Sequence, residues 1–313
     1  MAALPETPAP TRDAILEAYE ADREDGRRPH LGASQIGKSC ERALWYDFRW
    51  TTPARFPGRI LRLFETGQLE EARLVRNLRR IGATVLELDP ETGRQWRVEA
   101  HGGHFGGSLD AVALGLIEAP KTWHVLEFKT HSAKSFRELV AKGVADAKPQ
   151  HWAQMQVYMH LTGLTRAMYL AVCKDTDDVY VERVRADTDA AERLLAKADR
   201  VIHATRPPVR ISEDPTWFEC RFCDHHDLCH GEAAAAVSCR SCLHSTPVEG
   251  GWRCARWDQG LDVETQRQAC AQHLFIPDLV PGEVVDAGDD HVVYRMRDGR
   301  TWINDARAEA VAC

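Results

Sequence analysis

The spacing of apolar positions changes period several times along this chain, and the changes mark its elements. Residues 1–10 read as a disordered tail, and TRDAILEAYEADRED then has the Thr start and acidic content of a polar helix ending near Gly26. In LGASQIGKSCERALWYDFRW, Ser34 is placed to cap a short helix whose apolar stripe is Leu44, Trp45 and Phe48. From Arg59 to Ile81, the apolar positions Leu61, Phe64, Leu69, Leu74, Val75 and Leu78 predict a long amphipathic helix stopped by Gly82. The texture then turns strand-like. TVLELD, RQWRVEA, SLDAVALGL and HVLEFKT predict strands bounded by Gly, Pro and polar residues. PQHWAQMQVYMHLTG predicts a helix opening at Pro149 and closing at Gly163, after which RAMYLAVCKD and DVYVERVRA return to strand. A further helix from Asp187 to His203 ends before Pro207 and Pro208.

This order predicts an α/β fold: a mixed central sheet flanked by helices. After Cys220 the texture changes to short, cysteine-rich elements. The division is placed at the alanine run GEAAAAV, residues 231–237, a short helix or a linker. The expected organisation is a tail and polar helix over 1–30, a large domain over 31–232, and a small cysteine-rich module with a hairpin over 233–313. That hairpin is read from GEVVDAGDDHVVYRMRDGRTWIND, with Asp298 and Gly299 at its turn. A chain of 313 residues, 44% hydrophobic and 28% charged, has the ordinary globular composition such an arrangement needs. No apolar run approaches the roughly 18–20 residues of a membrane span. MAALPETPAP lacks the basic segment and apolar core of a signal peptide, so the expected setting is the cytoplasm with no membrane partner.

The strand VLEFKT carries an acid and a base where a core would want aliphatic side chains. In an extended strand Glu127 and Lys129 share one face while Leu126 and Phe128 take the other, which commits one face to the core and the other to chemistry. Asp110 falls in the preceding strand, and a hairpin turning between Glu118 and Lys121 brings it beside Glu127. Two carboxylates in one small volume repel unless a hard cation lies between them, and Mg²⁺ or Mn²⁺ prefers such oxygen donors. Lys129 is then placed to polarise an attacking water or to offset charge developing on a phosphate. An ion pair on an edge strand would give the same short pattern. The pattern is longer, however: D-x16-ExK is followed by Gln154 and Tyr158, four apart on one helix face, and preceded by Gly67-x3-Glu71, with Gly67 permitting close approach of another backbone.

In this order the chain resembles the PD-(D/E)xK nuclease superfamily, specifically its RecB-like exonuclease branch. The resemblance spans about residues 31 to 232 and implies a restriction-endonuclease-like core. It implies that Asp110, Glu127, Glu71 and the backbone carbonyl of Phe128 bind the Mg²⁺ or Mn²⁺, with Lys129 as the catalytic lysine. It further implies that Gln154 and Tyr158 support the site or touch DNA. Many CRISPR-associated relatives carry His where Glu71 stands, so Glu71 is closer to the viral recombination exonucleases, and Glu70 beside it is an alternative ligand.

Charge and cysteines add to this picture. The net charge of −7 offers no general attraction for DNA, but basic residues crowd the segment from Arg27 to Arg80, as solvated helix faces or a basic groove. Ten cysteines without an export signal argue against a disulfide framework and for metal ligation. Cys220, Cys223 and Cys229 form C-x2-C-x5-C, with Cys40 as a fourth thiolate far upstream. The run S34-x5-C40-x-R42 before the nuclease motifs and CRFCDHHDLC after them resembles the iron-sulfur exonuclease branch, which implies a 4Fe-4S cluster. Zinc is the alternative, with His225, His226 and His230 nearby.

A second set, Cys239-x2-Cys242-x11-Cys254-x15-Cys270, suits a structural Zn²⁺ site, with His244 or His273 as substitute ligands and a second iron-sulfur cluster as the alternative. Cys173 reads as a core thiol and Cys313 as without specific role. His101, His104, His124, His131 and His151 read as surface or hydrogen-bonded groups. Trp45, Trp123 and Trp152 read as core residues, with base stacking the alternative.

The expected function is therefore a Mg²⁺- or Mn²⁺-dependent DNA exonuclease acting at ends in recombination, repair or CRISPR adaptation. DNA is the expected partner, together with a recombination or CRISPR adaptation protein and a phage or prophage setting. The alternatives are an endonuclease on the same core, or a noncatalytic, metal-stapled DNA- or protein-binding module.

Overall fold

The structure, a computed structural model, describes residues 9–22, 26–53 and 55–305. The tail expected over 1–10 lies outside them up to residue 8, as does Cys313. The chain opens with α1 (Pro10–Ala21), a two-residue strand β1 (Leu31–Gly32), α2 (Glu41–Phe48) and the long α3 (Gly58–Arg80). Strands β2 (Thr84–Leu86), β3 (Arg97–Ala100), β4 (Phe105–Ser108), β5 (Ala111–Leu114) and β6 (His124–His131) follow. Next come α4 (Ala133–Ala147), α5 (Pro149–Thr162), β7 (Arg166–Cys173), β8 (Val179–Arg185) and α6 (Thr188–His203). Two single-turn helices, α7 (Phe218–Arg221) and α8 (His226–Cys229), lead to β9 (Ser245–Val248), β10 (Gly251–Cys254), β11 (Gln259–Leu261) and α9 (Val263–Gln268). The described chain ends in β12 (Gly282–Ala287), β13 (His291–Met296) and β14 (Thr301–Asp305).

The main sheet has five strands in the order β2-β5-β6-β7-β8. β6 and β7 pair in parallel and every other neighbouring pair is antiparallel, which is the mixed α/β sheet expected. The parallel pair needs a crossover, supplied by α4 and α5. The alternation read in VLEFKT appears in the packing. Leu126 and Phe128 join Leu74, Val75 and Leu78 of α3 in one apolar cluster, while Val125 belongs to the other, with Met155 and Tyr158 of α5. Because β6 lies in the middle of the sheet, the edge-strand explanation of Glu127 and Lys129 is excluded. Among the described residues no helix is long and apolar enough to cross a membrane.

Several local expectations are corrected. Ser34 does not cap α2: it lies in a short 3-10 turn, Ala33–Gln35, and Cys40 occupies the cap position without a side-chain bond. Only the C-terminal half of α3 has a buried stripe, Leu74, Val75 and Leu78; Phe64 and Leu69 are exposed in the N-terminal half, which meets α1 through Gly58 and Glu65. Gly67 has nothing among the described residues within 4 Å of where a Cβ would stand, so the expected close approach of another backbone is not seen among them. Helix α4 lies between the elements expected from periodicity; Ser132 caps it through the Ser135 N–H, and Phe136, Leu139 and Val144 bury its stripe. SLDAVALGL is broken at Leu109 and Asp110, so Asp110 stands in the gap between β4 and β5 instead of in a strand. GEAAAAV is not helical; it runs as a linker, anchored by the Ala236 N–H to the Thr51 carbonyl at 2.8 Å. The terminal hairpin is a three-stranded meander, β12-β13-β14, and the Asp298–Gly299 turn joins its last two strands.

Candidate active site

The β5-β6 hairpin and α5 assemble the site. Asp110, released from the ladder by the break before β5, turns its carboxylate onto β6, where Oδ2 accepts the Phe128 N–H at 2.7 Å. That bond sets Asp110 beside the Glu127 strand face. Glu127 is 0% exposed. One of its oxygens, Oε1, receives the ammonium of Lys129, and the other, Oε2, is buried without a hydrogen-bond partner. Lys129 also donates to the Phe128 carbonyl at 3.1 Å and keeps 28% of its side chain exposed, so the site opens to solvent on the lysine side.

Electrostatics tie in the third acid. Burial pushes the Glu127 carboxyl up to about 7, Lys129 opposing the rise and Asp110 and Glu71 adding to it. Burial likewise raises Asp110, against Lys129 and the Phe128 N–H. Glu71 is raised by burial and then by Asp110. Burial pulls the Lys129 ammonium down, but Glu127, Asp110 and Glu71 together hold it above the usual lysine value. Glu71 is therefore the α3 acid that faces this cluster; Glu70 turns to Arg73 at 3.4 Å. A hard cation fits this donor chemistry, because three mutually repelling carboxyls and an unpartnered buried oxygen call for positive charge. Lys129 supplies that charge at the Glu127 and Phe128 oxygens in this structure. Among the described residues no group of three or more His, Cys, Asp or Glu side chains is arranged to hold a metal ion.

Gln154 and Tyr158 lie beneath the site. Both are buried, which takes them off any DNA-facing surface. The Tyr158 hydroxyl donates to the Ser108 carbonyl at 2.9 Å and accepts from Gln154 Nε2 at 3.2 Å, anchoring the segment that presents Asp110. Gly107 makes room for this, since a Cβ there would lie 2.5 Å from the Tyr158 oxygen.

The hydrogen-bonded state expected for His131 and His151 is observed. His131 continues the Glu127, Lys129 face; its Nε2 meets the Tyr169 hydroxyl at 2.9 Å, and His151 Nδ1 meets the same hydroxyl at 2.8 Å. Burial lowers His131 to about 4 and His151 to about 3, with Lys129 contributing to both. The period-two spacing of Glu127, Lys129 and His131 along β6 puts all three on one face. Trp45 is fully buried, as a core residue. Arg49, counted among the basic residues of the 27–80 segment, is also buried.

Cys40, Cys220, Cys223 and Cys229 line one cavity of about 250 Å³, although Cys40 caps the start of α2, Cys220 and Cys229 belong to α7 and α8, and Cys223 lies in the turn between those two helices. Burial raises Cys220, followed by Cys229 and Cys40, so these thiols sense one another. His225 is engaged elsewhere, by Thr52 Oγ1 at 2.9 Å and Asp47 Oδ1 at 3.1 Å. Cys239, Cys242, Cys254 and Cys270 line a second, smaller cavity together with His244 and His273.

A family model described as the PD-(D/E)XK nuclease superfamily matches residues 13–230. No curated protein matches the chain significantly. Among solved structures, an alkaline exonuclease from Laribacter hongkongensis is similar at 18% identity and TM-score 0.41, over 59% of this chain and 90% of that one. A phage-related exonuclease from Haemophilus somnus 129PT is similar at 13% identity and TM-score 0.38, over 55% and 91%. A protein designated SSO0001 is similar at 15% identity and TM-score 0.41, over 71% and 95%.

Proposed function

The chain belongs to the PD-(D/E)XK nuclease superfamily, and from that premise we propose that it is a Mg²⁺- or Mn²⁺-dependent deoxyribonuclease that digests DNA from its ends. The observation that carries the reading is the fully buried Glu127 carboxylate, with one oxygen on Lys129 and the other unpartnered, beside Asp110. Asp110, Glu127, Glu71 and the Phe128 carbonyl would hold the ion, which supplies Lewis-acid charge at the scissile phosphate. The remaining work falls to the chain. The Lys129 ammonium, at the solvent-open side, orients the attacking water and offsets negative charge growing on the phosphate. Gln154 and Tyr158 act from behind, holding the Ser108 carbonyl so that Asp110 keeps its bond to β6.

The proposal extends to organisation and setting. Residues 31–232 form the nuclease unit, preceded by the tail and helix of 1–30, and residues 233–313 form a module of their own. Cys40, Cys220, Cys223 and Cys229 hold a 4Fe-4S cluster that clamps α2 to α7 and α8; the engagement of His225 by Thr52 and Asp47 supports the all-thiol set over a mixed zinc site. The second thiol set holds Zn²⁺. Processing of ends in recombination, repair or CRISPR adaptation, in the cytoplasm and with a protein partner from that machinery, is the setting such an activity fits.

The test is digestion of linear and closed-circular DNA by the parent protein and by Glu127→Ala and Lys129→Ala. Loss of cleavage in both variants, with only linear DNA degraded by the parent, is expected. Undiminished digestion by either variant refutes the site, and cleavage of closed circles refutes the exonucleolytic mode.

A further inference from the structure

The arginines of α3 fall mostly on one line. Arg59, Arg62, Thr66, Leu69, Arg73, Arg76 and Arg80 follow one another at alternating steps of three and four residues, which keeps them on a single face of the helix. All seven are exposed. Leu74, Val75 and Leu78 point the other way, into the sheet, and Glu71 shares their side. On α3, then, the basic crowding between Arg27 and Arg80 is a stripe along the outer surface, turned away from the candidate active site. It runs for about 30 Å at 1.5 Å per residue.

A helix face that serves only solvation mixes the two signs of charge. This one carries no acid of its own, and the acids beside it are engaged. Tyr19 of α1 donates to Glu65, Glu20 of α1 accepts the Gly58 N–H at 2.6 Å, and Glu70 accepts from Arg73 at 3.4 Å. Arg73 is fixed by two further bonds to Asp177, at 2.7 and 2.6 Å, in the turn between β7 and β8. Arg62 turns to Tyr19. Arg59, Arg76 and Arg80 have no hydrogen-bond or ion-pair partner among the described residues. Between them Leu69 is 68% exposed. Guanidiniums kept apart from acids, with an apolar side chain among them, suit a polyanion that also offers apolar sugar edges. Duplex DNA is such a partner, with one negative charge per about 1.7 Å of axis and a turn of about 34 Å, close to the length of the stripe. A net charge of −7 repels DNA in general, so attraction has to come from a local positive surface of this kind.

We infer that Arg59, Arg76 and Arg80 form a second DNA contact, a rail on the outer face of α3 that holds the backbone of duplex DNA away from the point of cleavage. This deepens, and rests on, the reading of the protein as a deoxyribonuclease, whose undigested substrate the rail retains. Glu71 and the three arginines lie on opposite sides of one helix, so the rail sets affinity and its salt dependence and leaves the chemical step alone.

The experiment compares the full-length parent with two triple variants, Arg59→Gln/Arg76→Gln/Arg80→Gln and Arg59→Lys/Arg76→Lys/Arg80→Lys. Binding to a labelled linear duplex of about three turns is followed by fluorescence anisotropy with EDTA present, so that no strand is cut, from about 50 to about 200 mM salt. Losing three phosphate contacts should lower the slope of log affinity against log salt by about 2.7, at about 0.9 for each. The parent's advantage over the Gln triple should accordingly shrink about 40-fold across that range. The Lys triple should keep the parental slope, because a point charge is enough for a phosphate. On linear DNA in Mg²⁺ the Gln triple should show a raised KM and the parental kcat. Equal slopes in the parent and the Gln triple overturn the rail and leave a solvated face. A slope lost as fully in the Lys triple, a fall in kcat with KM unmoved, or no binding by the parent overturns it too. If the parent binds with the expected slope but cuts no DNA in Mg²⁺ or Mn²⁺, the nuclease reading falls and the DNA contact stands. Should the Gln triple not fold, the three single Gln variants carry the test, each lowering the slope by about 1.

Discussion

Replacing Glu127 with Gln should stabilise the protein and inactivate it together. The side chain is 0% exposed, and the substitution keeps its volume while replacing one carboxylate oxygen with an uncharged NH2 group. A carboxyl raised from the ordinary 4.5 to about 7 holds its proton more tightly folded than unfolded, which favours the fold fully below 4.5; that advantage is lost as pH rises through 7. At pH 8 the ionised side chain therefore costs the parent about 3 kcal/mol relative to a neutral isostere. The cost falls below about 1 kcal/mol near pH 5 and vanishes beneath the unfolded value.

Urea unfolding of parent and Glu127→Gln without added divalent ion, at pH 8 and pH 5, measures this. The variant's midpoint should lie about 1 M higher at pH 8, for a slope near 3 kcal/mol per molar, and the gap should nearly close at pH 5. Added Mg²⁺ should then stabilise the parent by about 3 kcal/mol at a hundred times its dissociation constant and leave the variant unmoved. A variant less stable than the parent at pH 8, or a gap that does not change with pH, would refute the claim that Glu127 is a buried, destabilising anion.

Three further outcomes are expected. Tyr158→Phe should cost about 1 kcal/mol, because the Ser108 carbonyl loses its donor; a much larger loss of cleavage than of stability would show that this anchor positions Asp110. His131 and His151 are held neutral by burial, so their contribution is complete above about 6.5 and lost as pH falls toward 4 and 3; acid unfolding followed by tryptophan fluorescence should begin earlier in the parent than in His131→Asn/His151→Gln. Asp187→Ala should cost about 1 kcal/mol in the same urea assay, since the Asp187 side chain caps α6 through the Ala190 N–H at 2.9 Å.

What the sequence determined by itself is mostly periodic and local. The helices α3, α5 and α6, the strands β6, β7 and β8, and the stops at Gly82 and Gly163 follow from spacing and from residues that cap or break elements, because those effects act within a few positions. The shared face of Glu127 and Lys129 is of this kind, a consequence of strand geometry alone. Other features required the assembled chain. That β6 is central and not an edge depends on which strands pair, a choice made by contacts far apart in sequence. Phe64 and Leu69 look like core residues by their spacing, yet among the described residues both stay exposed, Phe64 with only the Phe56 ring against it. Asp110 reaches β6 through a break in an apparently continuous strand, and Tyr158 meets the Ser108 carbonyl fifty residues away. Arg49 and Arg240 look like ordinary surface charges until burial removes them from water. Burial, pairing and the reach of a side chain across the fold are properties of three-dimensional neighbours, and a period along one strand or helix carries no record of them.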